Sequence, residues 1–162
     1  MRLDKQVDIN IYRRVSKADP LPLAFTHRVR DNCLCLHAKR AARAIARRYD
    51  EAFRPLGISS GQFSLLVSLN RPHPPTIGEV ASLLGLDRTT LSANLKPLQR
   101  RGLVKVTQGD SDKRSRTMSL TASGRKLLIA AAPIWERVHR EVEGLIEQSD
   151  PDRLRSDLRA LS

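Results

Sequence analysis

The stretch from Thr76 to Thr121 constrains the fold more than any other part of the chain. Thr76–Leu84 reads as a short helix, with Glu79 three residues after its opening threonine, the reciprocal capping arrangement that satisfies two backbone amides at a helix start. Gly85 suits the left-handed position that ends such a helix, and Leu86 completes a tight turn. A second helix spans Asp87–Arg101 and closes at Gly102, with Leu91, Leu95 and Leu98 on one face. Leu103–Thr107 and Arg116–Thr121 follow as two strands around a charged loop, Gln108–Ser115. A short helix buttressing a second helix with a polar outer face is the arrangement that enters a DNA major groove. The basic hairpin beside it is placed to reach phosphates or a minor groove. The pattern is that of a winged helix-turn-helix.

Charge points the same way. The formal net charge is +12 and the pI about 10.8, a surplus that favours polyanions and gives a sequence-independent attraction to nucleic acid that salt weakens. A membrane surface is the rival polyanion, but no long apolar run or basic amphipathic helix with an aromatic face supports it. Met1–Asp8 carries no apolar signal region, so a cytoplasmic protein is expected. Two cysteines are too few for a disulfide scaffold. Hydrophobic residues at 40% and charged residues at 28% are an ordinary globular balance rather than a disordered one. No phosphate-binding loop, dinucleotide fingerprint, nucleophile elbow or metal-binding helix motif occurs, so neither an enzyme nor a cofactor is expected.

The fold class expected is mainly α with a small β-hairpin wing, flanked by N- and C-terminal dimerisation helices. Residues 1–24 form an arm: Pro20 and Pro22 break any helix, and Val7–Val15 alternates weakly. Arg13, Arg14 and Lys17 put it within reach of DNA backbone, although a flexible tail is the favoured reading. Residues 25–57 form a dimerisation helix, with Leu34, His37, Ala38, Ala41, Ile45, Tyr49 and Phe53 on one face and Pro55 and Gly57 at its end. Residues 58–121 form the DNA-binding domain. Its first helix opens with a Ser59–Gln62 capping box, turns Phe63, Leu66, Val67 and Leu69 or Asn70 inward, and stops at Pro72–Pro75. Leu91, Leu95 and Leu98 are expected to pack on the helix before them. Pro97 predicts a kink, since an interior proline typically costs about 3 kcal/mol.

Residues 122–162 supply the C-terminal dimerisation helices. Thr121 caps a helix to about Gln148, kinked at Pro133, whose apolar stripe runs from Leu127 through Trp135 to Ile146 and is too long for so small a domain to cover. Asp150 and Pro151 start a last helix with Leu154, Leu158 and Leu161 on one face. Such stripes predict a two-fold dimer.

In Asp87–Arg101 the side chains able to read base edges are Arg88, Thr89, Thr90, Ser92, Asn94 and Lys96. Arginine pairs bidentately with guanine, asparagine with adenine, and threonine methyls meet thymine methyls. The competing readings are a capping role for Thr90 and a solvated surface position for Asn94. Ser60 and Gln62 are placed to donate to phosphate, or simply to cap their own helix. Cys33 and Cys35, two residues apart on a helix, point to opposite sides, so an internal disulfide is not expected. Core packing is the favoured role for them, with oxidation or intersubunit bridging as the alternative. One equivalent of organic peroxide should then leave DNA affinity unchanged. His27, His37, His73 and His139 lack metal-ligand spacing, and no zinc is expected.

The order helix, helix-turn-helix, wing, long helix, short helix resembles the MarR (multiple antibiotic resistance regulator) family from about Phe25 to the C-terminus. The resemblance is carried by Leu56–Phe63, Arg88–Ser92, Leu98–Val104, the wing Asp110–Arg114, and Leu120, Thr121, Gly124 and Arg125 at a fixed distance after it. It implies a triangular homodimer whose terminal helices pair, whose recognition helices enter successive major grooves, and whose wing arginines reach the minor groove. Arg114 is similar to the family's minor-groove arginine and Asp112 to its orienting carboxylate, while Lys113 and Arg116 are expected at phosphates. A guanidinium is more weakly hydrated than an ammonium, which suits it to a narrow, negative groove.

Most such proteins repress promoters and release DNA on binding a small anion, phenolic compound or thioester, or on oxidation. Some sense peroxide through a cysteine near the start of the first helix, aided by tyrosines of the second; here that second helix has Phe63 and no tyrosine. Family ligands sit between dimer helices and DNA-binding lobe, which implies Cys33, His37, Phe63 and Trp135 as lining residues and Arg40, Arg43 or Arg47 as attractors of an acidic ligand. The expectation is a homodimeric repressor released from a palindromic operator by a small aromatic, acidic or thioester ligand. The alternatives are a redox-sensing repressor using Cys33 or Cys35, and an architectural nucleic-acid-binding protein with no preferred site.

Overall fold

A computed structural model describes residues 21–108 and 116–162. The N-terminal arm expected over residues 1–24 lies almost entirely outside the described residues, as do Asp112, Lys113 and Arg114. By its contacts the chain divides between Arg40 and Ala41 into two compact units.

Where the spacing predicts one helix over Phe25–Leu56, there are two, α1 (Leu23–Asn32) and α2 (Leu34–Phe53). Cys33 breaks them apart in an extended conformation, φ −76° and ψ 103°. The preceding residues favour the break: the Asn32 side chain donates to the Arg28 carbonyl at 2.9 Å, and short polar side chains compete in this way with the helical ladder. The His37 amide then takes the Cys33 carbonyl at 3.1 Å to start α2. Of the predicted apolar stripe on α2, only Phe53 is buried, with Tyr49 packed half-buried against the core. Leu34 is 73% and Ile45 38% exposed, so the earlier part of the stripe is uncovered in the single chain. Arg54–Leu56 tighten into a 3-10 turn, and Gly57 reverses the chain at φ 64°.

Helix α3 (Ser60–Ser68) carries both halves of the Ser59–Gln62 capping box. Its inner side is Leu65, Leu66, Ser68 and the following Leu69, whereas Val67, expected inside, is 47% exposed. Leu65, Leu66 and Val67 are all apolar, so spacing alone cannot choose the phase; packing does.

Helix α4 (Ile77–Leu83) opens with the Thr76–Glu79 capping box and buries only Val80. Gly85, at φ 60°, turns the chain into α5 (Arg88–Arg100), which runs on through Pro97. The Leu91, Leu95 and Leu98 face is buried as expected, but it packs chiefly on α3 and the first strand rather than on α4, which is too short to cover it.

Strands β1 (Val104–Gln108) and β2 (Arg116–Leu120) pair antiparallel, Val104 opposite Leu120 and Val106 opposite Met118. Helix α6 (Ala122–Glu143) runs through Pro133 and ends at Gly144, short of the expected Gln148. There the ladder tightens, with Leu145 donating to Val142 and Ile146 to Glu143. Helix α7 (Pro151–Ala160) follows, its Asp150 cap accepting from the Arg153 amide.

Phe53, Leu65, Leu66, Val80, Leu91, Leu98 and Met118 are fully buried and share one core. Thr121 locks the wing to α6. Its hydroxyl donates to the Gly102 carbonyl at 2.7 Å and accepts the Gly124 amide at 3.0 Å. A Cβ at Gly124 would overlap the Leu103 carbonyl oxygen, which explains a glycine there. Among the described residues, no helix is long and apolar enough to cross a membrane.

Candidate nucleic-acid interface

Helix α5 sorts its side chains into three rows. Leu91, Leu95 and Leu98 are buried; Arg88, Thr89, Ser92 and Lys96 are exposed; Thr90 and Asn94 make contacts within the protein. Asp87 caps the helix, accepting the Thr90 amide and the Thr90 hydroxyl, each at 2.8 Å. These bonds, the amide first, hold the Asp87 carboxyl below its ordinary range. Thr90 is therefore part of the cap. Asn94 is half-buried against α3: a Cβ built on Gly61 would lie 3.0 Å from its Oδ1. The glycine makes room for the amide, which faces α3 rather than solvent.

The wing is tied to the start of α4. The Met118 amide donates to the Pro75 carbonyl at 2.9 Å, and Thr117 forms a bridge with Thr76. Arg116, at the loop end of β2, thereby joins Arg88, Ser92, Thr76 and Gly78 around one hollow of about 500 Å³. Two exposed guanidiniums and hydroxyls converging there are suited to a sugar-phosphate backbone, because arginine holds phosphate bidentately. Lys96 lines a separate hollow with Arg100. The sequence reading omits Arg100, although its position four residues after Lys96 puts it on the same helical face.

The start of α3 is occupied from inside the protein. Asp50 of α2 accepts the Ser60 amide at 2.6 Å, and Ser59 and Gln62 satisfy each other. Gln62 thus follows the capping reading. No local sequence signal reveals Asp50 as the carboxylate at this helix end, since it reaches across a turn.

Of the four expected ligand-lining residues, Phe63 and Trp135 come together on a groove between α3, α4 and α6. Cys33 and His37 belong to the other unit. There Cys33 is half-buried and Cys35 exposed, and neither is in the core, which overturns the packing role expected of them. The break takes Cys33 out of the helix, while Cys35 lies on the exposed first turn of α2. The break also removes the opposite-faces premise used against an internal disulfide, although both thiols are free.

A capped short helix, a left-handed glycine turn, an exposed second helix and a two-stranded wing tied back to the first define the winged helix-turn-helix class. The sequence model of the MarR family matches residues 58–115. The organic hydroperoxide resistance transcriptional regulator of Bacillus subtilis is 30% identical over 128 residues, covering 79% of this chain and 84% of that protein. The HTH-type transcriptional regulator YwoH of the same species is 34% identical over 87 residues, 54% of this chain, and the chain spans 63% of its length. The crystal structure of the M. tuberculosis transcriptional regulator MosR in complex with DNA superposes with a TM-score of 0.72 at 39% identity, over 80% of this chain and 93% of that one. The chain belongs to the MarR family of winged-helix DNA-binding transcriptional regulators.

Proposed function

We propose that this protein is a sequence-specific, cytoplasmic transcriptional repressor that binds a palindromic operator as a homodimer and leaves it on binding a small ligand. The observation that carries the reading is the convergence of Arg88 and Ser92 of α5 with Arg116 of the wing on one open hollow. Arg88, Thr89, Ser92 and Lys96 then meet base edges and phosphates, with Arg116 on the backbone and Asp112, Lys113 and Arg114 completing the wing. Thr90 and Asn94 serve the interface through the cap and the Gly61 contact, and Ser60 keeps its hydroxyl for phosphate. The DNA complex of MosR, at 39% identity, supports the same mode.

Homodimerisation is supported by the uncovered apolar residues of the terminal helices, Leu34 on α2 and Leu154, Leu158 and Leu161 on and beyond α7. Ligand release acts as a population shift: a molecule bound near Phe63 and Trp135 favours a spacing of recognition helices other than the approximately 34–36 Å, or a multiple, that successive grooves demand. The ligand class expected is aromatic, acidic or thioester.

The exposed Cys35 and half-buried Cys33 favour one second reading, release by oxidation, which the 30% identity to a regulator of organic hydroperoxide resistance supports. Loss of operator affinity with one equivalent of organic peroxide, restored by dithiothreitol, would select it. Binding that survives peroxide selects the ligand. For DNA contact itself, Arg114→Ala should weaken operator binding and lower the slope of log affinity against log salt by roughly one unit. An unchanged slope removes Arg114 from the contacts.

A further inference from the structure

We infer that the backbone carbonyl of Ala93, on the outer face of α5, reads a base edge by accepting a hydrogen bond from the major-groove amino group of an adenine or a cytosine, and that Pro97 frees it to do so. The inference rests on the operator binding proposed above and adds a backbone atom that sets specificity. A carbonyl inside a helix accepts the amide four residues further on. For Ala93 that partner is Pro97, which has no amide hydrogen. The helix nonetheless continues from Arg88 to Arg100, so in its middle one strong acceptor is left without its helical donor.

Placement gives that acceptor a partner. Thr89, Ala93, Lys96 and Arg100 recur at the three- and four-residue spacing of a single helix face, and all four are exposed. Leu91, Leu95 and Leu98 take the buried side. Ala93, Lys96, Pro97, Gln99 and Arg100 line one open hollow of about 430 Å³, and none of them belongs to the terminal helices where a second copy is expected to pair. At Ala93 the side chain is only a methyl group, so backbone can come close to a base edge, while the neighbouring Lys96 and Arg100 hold phosphates. Adenine N6 and cytosine N4 are the amino donors of the major groove, whereas guanine and thymine offer acceptors there. A carbonyl pressed against guanine O6 or thymine O4 would lose water and gain no bond, which is the source of the discrimination.

The test compares the unsubstituted chain with Pro97→Ala, which restores the missing amide and should raise Tm, so a change in DNA reading is not a failure to fold. Each chain selects sites from a pool of randomised duplexes. The unsubstituted chain should select adenine or cytosine at one position of each half-site where Pro97→Ala selects no base. At that position the amino group is then removed, with purine in place of adenine or 2-pyrimidinone in place of cytosine, according to the base selected. Removal should cost the unsubstituted chain at least about tenfold in affinity and Pro97→Ala less than about twofold, a difference that an altered helix bend alone would not produce. The same consensus from both chains, or an equal loss in both when the amino group is removed, overturns the inference and leaves operator binding standing. No consensus from the unsubstituted chain defeats the operator reading and the inference with it.

Discussion

Gly124 sits where a methyl group would overlap the Leu103 carbonyl oxygen, and backbone on both sides leaves nowhere for the overlap to go. Gly124→Ala should cost about 3 kcal/mol or more in a denaturant titration, the upper end of overpacking penalties. Gly61→Ala offers the contrast, since its Cβ meets the end of the Asn94 side chain, which can rotate away. Its cost in stability should be small while operator affinity falls. Asp87 gives a pH signature. Its carboxyl is held low by the Thr90 amide and hydroxyl, so the charged form stabilises the fold above the ordinary carboxylate pKa of about 3.9 and that contribution fades as pH falls through the lower folded value. Asp87→Ala should therefore lower Tm by about 2–4 °C near neutral pH. The gap to the unsubstituted protein should close in acid; a gap that persists there would mean the cap works by packing rather than charge.

At the scale of elements, the sequence was most legible where a helix end is chemically marked. The Ser59–Gln62 and Thr76–Glu79 boxes, Gly57, Gly85 and Gly102 stand where the residues put them, whereas Asp87, read as the first residue of its helix, is the cap. Legibility failed where the deciding partner is distant. The phase of α3 depends on packing against α5, so Val67 and Leu65 exchanged places. The break at Cys33 arises from local polar side chains that an apolar periodicity does not register. Arg101, inside the Leu98–Val104 motif, donates to the carbonyls of Leu56 at 3.0 Å and Gly57 at 2.5 Å, forty-odd residues away and invisible to spacing. It fastens the end of α5 to the turn before α3. Arg101→Ala should loosen that attachment, raising amide exchange at Gly57 and Ile58 while leaving the Asp87 end of α5 protected; equal exchange in the variant would show that the clamp is dispensable.

Exposed apolar residues recur on the terminal helices of the single chain, Leu34 on α2 and Leu154, Leu158 and Leu161 on and just beyond α7. A stripe of that kind was readable from sequence, because an uncovered face is a property of spacing and needs no partner to be seen. The roles expected of Asp112, Lys113 and Arg114 rest on the family resemblance alone, since these residues fall outside the described ones. Leu154→Lys together with Leu158→Lys should make the proposed dimer a monomer in sedimentation and weaken operator binding far more than non-specific binding, because two half-sites no longer act together. Operator recognition through Arg88, Ser92 and Arg116 can be measured by fluorescence anisotropy on DNA from upstream of the protein's own gene against scrambled DNA, across a salt series, with Arg88→Ala and Arg116→Ala alongside. Two protomers per site are expected, with a preference for the native fragment of at least about a thousandfold and a salt slope reduced by roughly one unit in each variant. Equal, steeply salt-dependent binding to both DNAs, unaltered by either substitution, would contradict that recognition.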